Sequence, residues 1–464
     1  MFEFASLNGD NAVLGFKRDP FVMDVESLAD PNVCFASTMT TFAPFIKNYY
    51  NPGQVTALTI KNRIFYAKVK KTLGSGDLWV TPVIYANPQG LSATLANAQT
   101  VATAVGGGGS LQGKKWTSAF GDYSGVVDIG DKVIAASRDN VGAFFKNQTA
   151  EIDRLYEGFG DVMGNYFIGD AGHSVTPGTF TISTGVCTCL QPDDTIFVYV
   201  GMQVQASAGS GVAASDTLLG SGSIGYVYLV NKNAGTFTVA TSAANAAAGT
   251  AGTPGSWTGT MYAFRLGDFG ATSAGTFTRI LLGLGAWVPA ADPTNTTFEN
   301  QDRTIALTEL SGVRLTAAEI SGLNNEQRIK RLVARMSGRG AAPPPTDVFL
   351  HPEKWQDLAD SLESRGNRPL GEKIAGFNFQ KIQLATAGGM VDVWSDRFCT
   401  VNACFAVNFD YIEAKSYTGF PGVINQDGTD LLRLSASNDY EYRLTCYPAF
   451  QVKAPGFQGR VAMA

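Results

Sequence analysis

The chain has 464 residues, enough for two or three domains. It is 45% hydrophobic but only 16% charged, below the roughly 25% that is typical of soluble domains, so it can bury a large core and its surface suits contact with partners. A net charge of −5 argues against a nucleic-acid binder by bulk electrostatics, and no apolar run reaches the about 18 residues of a membrane span.

The first 53 residues are an irregular segment that prolines interrupt and that aromatic side chains fill. We expect this arm to lie along a surface of its own or of a neighbouring subunit. Its start, Met1-Phe2-Glu3-Phe4, lacks the basic and apolar regions of a secretion signal, so we expect folding in a cytoplasm. The six cysteines are then expected as buried free thiols, with disulfides as the less favoured alternative.

Residues 54–120 predict strands around a glycine turn. Strand patterns at 64–70 and 78–85 flank Gly74-Ser75-Gly76-Asp77, which indicates a β-hairpin. Residues 91–105 predict a short helix that ends at four glycines, and residues 115–120 predict a further strand.

The charge of this segment differs from that of the rest of the chain. It holds seven bases and one acid and is therefore +6, which leaves −11 elsewhere. A basic hairpin on an acidic body suggests subunits that attract one another in a fixed orientation. The residues expected to contact a neighbouring subunit are Lys61, Arg63, Lys68, Lys70 and Lys71.

Residues 131–168 form the longest periodic run in the chain. Apolar side chains recur at spacings of three, four or seven, which predicts one apolar stripe on a long helix. Four glycines within the run weaken the helix, so we expect a bend or an early end near Gly158. The stripe consists of Ile134, Val141, Phe145, Ile152, Leu155, Phe159, Val162 and Tyr166.

From residue 171 to 266 the sequence is rich in Gly, Ser, Ala and Thr and carries few charges. Short strand patterns recur at 179–182, 196–200, 226–230, 236–239 and 262–264, with a hairpin turn at 233–235. Such a pattern predicts a small β-sandwich or barrel. We interpret it as an insertion that the chain enters near Gly169 and leaves near Gly285.

The C-terminal part predicts mixed α and β structure. Residues 324–336 predict an amphipathic helix, 348–350 a buried strand, 352–358 a helix that begins with Pro352, and 376–463 mainly strands. The basic residues between Arg328 and Arg339 leave two alternatives open, which are contact with nucleic acid and a solvated helix face.

No group of residues in the sequence indicates catalysis. The two histidines, His173 and His351, lie in different predicted domains, and His351 before Pro352 suits a helix entry. The glycines at 106–109 lack the Lys-Ser/Thr of a phosphate-binding loop. The sequence therefore predicts no catalytic residue, no cofactor site and no metal ligand.

The order of these elements resembles that of the major capsid proteins of tailed bacteriophages, which have the Hong Kong 97 fold. Residues 299–303 resemble a Gly-Val-Asp-Arg pattern of that family, with Asn300 and Gln301 in place of Gly-Val. The other stretches that resemble the family are 86–94 for the E-loop, 144–170 for the spine helix, 201–204 for an inserted β module, 349–355 for the entry to the A domain and 454–459 for the closing P-domain strand.

This resemblance implies an α+β chain with a Hong Kong 97-like fold and an inserted all-β domain. The expected division is N-terminal arm 1–53, E-loop region 54–125, spine helix of the P domain 126–169, inserted β-domain 170–284, remainder of the P domain 285–345, A domain 346–440 and closing P-domain strand 441–464.

The implied function is structural and not enzymatic. The expected protein self-assembles through pentamers and hexamers into an icosahedral shell around double-stranded phage DNA, and it is built in the host bacterial cytoplasm. Expected partners are scaffolding, portal and decoration proteins and the packaged DNA, contacted non-specifically, with no membrane. The alternatives are a surface-layer or adhesin-type protein, for which a secretion signal is missing, and a β-rich enzyme, for which a titratable cluster is missing.

Overall fold

The structure is a computed structural model. It describes residues 63–103, 110–132, 147–169, 174–210, 216–269, 281–294, 298–340, 343–363, 370–374, 377–425, 428, 431–434 and 437–463. The aromatic arm, Cys34, Lys61, His173 and the first three residues of the predicted helix stripe lie outside these ranges. No helix within them is both long and apolar enough to cross a membrane.

The described helices are mostly short, and three of them exceed ten residues. In chain order they are α1 Ile64–Lys68, α2 Leu95–Thr103, α3 Asn147–Ile168, α4 Ala243–Ala247, α5 Leu284–Trp287, α6 Leu307–Ser311, α7 Ala317–Ile320, α8 Asn325–Gly338 and α9 Pro352–Glu363.

The described strands occur before, within and after the predicted insertion. In chain order they are β1 Lys70–Leu73, β2 Leu78–Ala86, β3 Gln112–Ala119, β4 Tyr123–Ile129, β5 Phe180–Ser183, β6 Val186–Cys189, β7 Gln203–Ser207, β8 Gly225–Asn231, β9 Thr236–Ala240, β10 Thr260–Arg265, β11 Val313–Arg314, β12 Asp347–Leu350, β13 Leu370–Ile374, β14 Phe377–Thr386, β15 Gly389–Ser395, β16 Ala403–Val407, β17 Ile412–Ser416, β18 Gly422–Val423, β19 Leu431–Arg433, β20 Tyr440–Cys446, β21 Ala449–Val452 and β22 Gly459–Ala462.

We call the described residues outside the predicted insertion the body. A seven-stranded mixed sheet forms one layer of the body, in the order β11-β22-β16-β12-β15-β14-β13. Helix α8 packs on it through Ile329, Leu332, Val333 and Met336, all buried as the predicted amphipathic pattern requires. A capping box at Asn324 starts this helix. The sheet joins strands from three of the predicted domains, and the division at 345 and 440 stays a prediction.

The long helix α3 is continuous from Asn147 to Ile168. The early end expected near Gly158 as one alternative is therefore wrong. The predicted domain boundary at 126 falls inside β4, which runs to Ile129 and pairs with β20, and residues 131–132 are helical. All residues from Phe159 to Ile168 are buried, since strand β4, helix α1 and strand β21 surround them, with Tyr123 and Phe159 ring centroids 5.1 Å apart.

The glycines of α3 explain why the helix persists. A Cβ atom built at Gly160 meets Arg63 Nη1 at 2.1 Å, and one at Gly164 meets the ring of Phe398 at 2.7 Å. Both glycines therefore allow close packing against the helix. This packing offsets the cost of glycine in a helix, which is about 1 kcal/mol per residue relative to alanine.

The predicted β insertion is a closed six-stranded barrel in the order β10-β5-β6-β9-β8-β7. Phe180, Val204, Phe237 and Met261 fill its interior. The predicted turn at 233–235 does connect β8 and β9. The predicted strand at 196–200 is wrong, because the 3-10 turn Pro192–Thr195 leads into turns there, with Phe197 and Val198 buried.

The two residues at which the insertion is predicted to begin and end lie together. The Gly285 amide donates a hydrogen bond of 3.1 Å to the Gly169 carbonyl. The barrel also rests on the body, because the rings of Phe197 and Phe398 stack at 5.2 Å between centroids. Barrel and body consequently share one continuous apolar core.

The predicted hairpin around Gly74–Asp77 is wrong. Residues 64–68 form helix α1, and β1 pairs in parallel with β17, with Lys70 opposite Glu413. Strand β2 pairs instead with β3, and the short helix α2 lies in the connection between them. The β2–β3 pair is called the ribbon below.

The cysteine expectation is confirmed for the described residues. Cys187, Cys189, Cys399, Cys404 and Cys446 are free and buried. Burial raises the pKa of each thiol, to about 12 at Cys189 and about 11 at Cys446, so these side chains behave as small apolar groups.

Candidate assembly interface

The inner face of the ribbon is fixed to the body. Gln451 of β21 donates to the Trp79 carbonyl at 3.0 Å and to Ser118 Oγ at 2.8 Å, and its Oε1 accepts from Thr81 Oγ1 at 2.7 Å. Trp116 of β3 is fully buried and meets Trp287 edge to face at 5.1 Å. The polar side chain and the aromatic anchor together hold the base of the ribbon in one orientation.

On the outer, solvent-exposed face of the ribbon, β2 presents an apolar row, with the exposed Lys115 of β3 opposite Pro82. Because side chains alternate along a strand, burying Trp79 turns its neighbours outward. Leu78 and Val80 are each 49% exposed, and Ile84 is 60% exposed. We define the outer ribbon face as Leu78, Val80, Pro82 and Ile84. Near the tip, Leu91 and Leu95 are more than three-quarters exposed, and no residue of α2 is buried.

The segment 298–303 lies under the base of the ribbon. Its Glu299 carbonyl accepts from the Thr117 amide of β3 at 3.4 Å, and the Arg303 guanidinium lies 3.6 Å from the Phe298 ring centroid. Arg303 Nη1 donates to the Ala286 carbonyl at 3.0 Å, and burial lowers the pKa of Arg303 to about 9. Burial also raises the pKa of Glu299 to about 8, against hydrogen bonding from Ser118.

The departure from the Gly-Val-Asp-Arg pattern has a local explanation. Asn300 stands in the glycine position and has φ of 60°, in the left-handed region. Asn tolerates that region better than most other residues with a side chain. Asn300 therefore forms a left-handed turn shortly before the buried Arg303.

The four described residues that were predicted to contact a neighbouring subunit do not lie on the ribbon, which corrects their expected location. Arg63 Nε is 2.9 Å from Asp161 Oδ1, and Lys68 Nζ is 2.5 Å from Asp347 Oδ1. Lys71 donates to the Tyr66 carbonyl, and burial lowers its pKa to about 8. Lys70 is exposed, and Lys61 lies outside the described residues. A role in subunit contact stays a prediction, with Lys70 its most accessible described member.

The basic residues of α8 bind groups of their own chain. Arg328 donates to the Leu323 and Ala462 carbonyls, and Arg339 donates to Thr308 Oγ1 at 2.9 Å. The Arg335 guanidinium pairs with the Glu319 carboxylate and holds the pKa of Glu319 at about 2. These bonds within the chain agree with the alternative of a solvated helix face. Contact with nucleic acid stays a prediction.

One cluster of potential metal ligands was missed by the sequence analysis. Within the described ranges, donor atoms of Asp193, His351 and Glu353 lie within 4.8 Å of one another. The prediction that His351 enters a helix is confirmed, since its carbonyl accepts from the Trp355 amide at 2.9 Å. Its approach to Asp193 gives no sequence signal, because the barrel and the body bring the two residues together.

No protein-family model and no curated protein matches the chain. Among solved structures, it is similar to an encapsulin complex from Synechococcus elongatus, with a TM-score of 0.44 and 7% identity over 92% of this chain and 96% of that one. It is similar to the capsid of an empty GTA particle, with a TM-score of 0.43 and 8% identity over 89% and 100%. It is also similar to the cyanophage A-1(L) capsid, with a TM-score of 0.43 and 10% identity over 89% and 96%.

Proposed function

We propose that the chain is a major capsid protein that assembles with copies of itself into the icosahedral head shell around phage double-stranded DNA. The observation that carries this proposal is the ribbon. Its inner face is anchored by Gln451 and Trp116, while its outer face presents an apolar row to solvent. An ordered apolar surface on a projecting element is typical of a protein–protein interface.

A second copy of the chain is the occupant that fits this surface best. Within the described residues, β2 and β3 pair with no further strand, so each leaves an unpaired edge that invites association. A closed symmetric shell covers every such edge and every outer ribbon face once, and growth therefore stops at closure. The low content of charged residues, 16%, agrees with a surface that is largely covered in the assembly.

The remaining parts of the proposal follow from the sequence resemblance. The seven-stranded sheet and α3 form the body, and pentamers and hexamers are the building units. Scaffolding, portal and decoration proteins and the packaged DNA are further partners. Assembly takes place in the host cytoplasm, and the role in the virion is structural and not enzymatic.

The outer ribbon face gives the test. Ile84→Asp places a charge on an exposed position, so the free energy of unfolding of the subunit should change by no more than about 0.5 kcal/mol. Within an interface the same charge is buried without a partner, which is costly. We expect the protein concentration needed for shell assembly to rise at least about tenfold. This change corresponds to only about 1.4 kcal/mol per subunit. Light scattering and electron microscopy measure the assembly.

A matched control is Leu229→Asp on the barrel, where the leucine is exposed to a similar degree. This variant should assemble at the wild-type concentration. Assembly of Ile84→Asp at the wild-type concentration would contradict the role of the ribbon. A wild-type chain that stays monomeric at all protein and salt concentrations would contradict the capsid function itself.

A further inference from the structure

Three side chains with metal-binding donors meet where the barrel rests on the body. Asp193 belongs to the 3-10 turn that follows β6 of the barrel. His351 is the single residue between β12 and α9, and Glu353 lies in the first turn of α9. His351 Nε2 is 3.3 Å from Asp193 Oδ2, and one donor of each residue lies within 4.8 Å of the other two.

We propose that this cluster binds one divalent transition-metal ion of the zinc class and that the ion links the barrel to the body. Zinc binds imidazole nitrogen and carboxylate oxygen at about 2.0–2.2 Å, so tetrahedral ligand atoms are roughly 3.3–3.5 Å apart. The His351–Asp193 pair already has this spacing. Glu353 is exposed, and its flexible side chain can close the remaining distance.

The donor set selects the class of metal. Magnesium and calcium prefer sites made of oxygen ligands alone, whereas one imidazole with carboxylates suits zinc and its neighbours in the first transition row. His351 is 6% exposed, so the packing around it fixes the imidazole before an ion binds. Two carboxylates against one neutral imidazole also give the site the negative charge that attracts a dication.

The hydrogen bonds of His351 show what binding changes. The Glu353 amide donates to His351 Nδ1 at 3.4 Å, so in the neutral ring Nε2 carries the proton and donates it toward Asp193. Binding of the ion at Nε2 transfers that proton to Nδ1 and breaks the long amide contact. Attraction between the ion and the carboxylates of Asp193 and Glu353 offsets the lost amide contact. It also offsets the repulsion between the ion and the positive N-terminal end of α9.

The structural consequence is a bond between segments that are distant in sequence. The stacked rings of Phe197 and Phe398 hold the barrel to the body through apolar contact. An ion held by Asp193 on one side and His351 and Glu353 on the other adds a polar link at the same joint. Because the ion binds only when barrel and body are docked, it stabilises the docked state by mass action.

The test uses the full-length protein, stripped with a chelator and kept as unassembled subunits, so its outcome is independent of shell formation. Zinc chloride is titrated against a chelating dye, and thermal unfolding is followed with zinc or magnesium. We expect one zinc ion per chain at this site and a rise in melting temperature with zinc but not with magnesium. Asp193→Asn and Glu353→Gln, both at positions accessible to solvent, should each weaken zinc binding about tenfold or more, since even outer-shell changes cost roughly 10–100-fold.

The matched control is Asp357→Asn, which removes a carboxylate on the same helix that pairs with Lys354 at 3.1 Å. It should bind zinc like the wild type, and His351→Gln should lose the site. Wild-type affinity in Asp193→Asn or in His351→Gln overturns the proposed link between barrel and body. An equal rise in melting temperature with magnesium overturns the assignment to a transition metal.

Discussion

At the scale of single residues, the glycines of α3 show the balance between helix propensity and packing. Gly158 is exposed, and a Cβ atom there meets nothing within 4 Å, whereas one at Gly164 lies 2.7 Å from the buried Phe398 ring. We expect Gly158→Ala to stabilise the subunit by about 0.5–1 kcal/mol, because alanine favours the helix. We expect Gly164→Ala to destabilise it by about 1–3 kcal/mol, because Phe398 cannot move without disturbing its stack on Phe197.

Urea unfolding followed by circular dichroism measures both effects. The two substitutions are chemically identical and lie on one helix, so each is the control of the other. Destabilisation by Gly158→Ala, or stabilisation by Gly164→Ala, would contradict the packing argument.

Helix α3 also shows what can and cannot be predicted from the sequence alone. The spacing of Ile152, Leu155, Phe159, Val162 and Tyr166 predicts the helix and the face that packs on β4. The sequence does not reveal that Arg63 and Phe398, distant along the chain, fill the space above two of the glycines. A propensity scale therefore favours an early end near Gly158, where tertiary contacts support a continuous helix.

At the scale of elements, the lysines around β1 separate stability from assembly. Lys68 Nζ contacts Asp347 and lies 3.9 Å from the Trp394 ring centroid, so Lys68→Glu places two carboxylates together in a half-buried position. We expect it to destabilise the subunit by about 1–3 kcal/mol. Lys70 is exposed, so Lys70→Glu should change stability by less than about 0.5 kcal/mol while raising the concentration needed for assembly.

Melting temperature and light scattering at low and high salt measure the two effects. An exposed ion pair contributes only about 0–1 kcal/mol, but the same pair recurs in every subunit of an assembly. Salt weakens the attraction between such charges over a screening length of about 8–10 Å. Added salt should therefore bring Lys70→Glu closer to the wild type. Unchanged assembly of Lys70→Glu at low salt would reject the remaining part of the charge prediction.

The first strands also show why the predicted hairpin failed. Gly74–Asp77 is a turn sequence between two strand patterns, and local rules pair such strands with each other. In the fold, Lys70 instead lies opposite Glu413 and Leu78 opposite Ala119, so both partners come from beyond the turn. The sequence predicts the strand β2, but it does not show which face of the strand Gln451 and Trp116 cover.

At the scale of the whole molecule, the α+β class and a small β unit, either a sandwich or a barrel, could be predicted, and the docking of barrel on body could not. Composition and strand spacing mark residues 171–266 as a separate unit. Contacts such as Phe197 with Phe398 and Asp193 with His351 join residues on different units, and neither has a local pattern. An insertion can thus be separate in topology and still share its core with the host.

Excision of the barrel tests how far that shared core supports the body. Replacing residues 170–284 by a short Gly-Ser linker imposes little strain, because Gly169 and Gly285 are already joined by a 3.1 Å hydrogen bond. The remainder loses the cover on Phe398, and burial of a phenylalanine side chain contributes about 1.5–3 kcal/mol. We expect a folded, helix-containing remainder that melts below the full chain, as measured by circular dichroism.

Phe197→Ala in the full-length chain is the matched comparison, since it deletes the stacked ring and keeps the barrel. Its melting temperature should fall between those of the wild type and the excised chain, because the polar contacts of the joint remain. A remainder without helical signal would show that α3 and its surroundings need the barrel in order to fold. A remainder as stable as the wild type would show that the Phe197–Phe398 contact contributes nothing to the stability of the body.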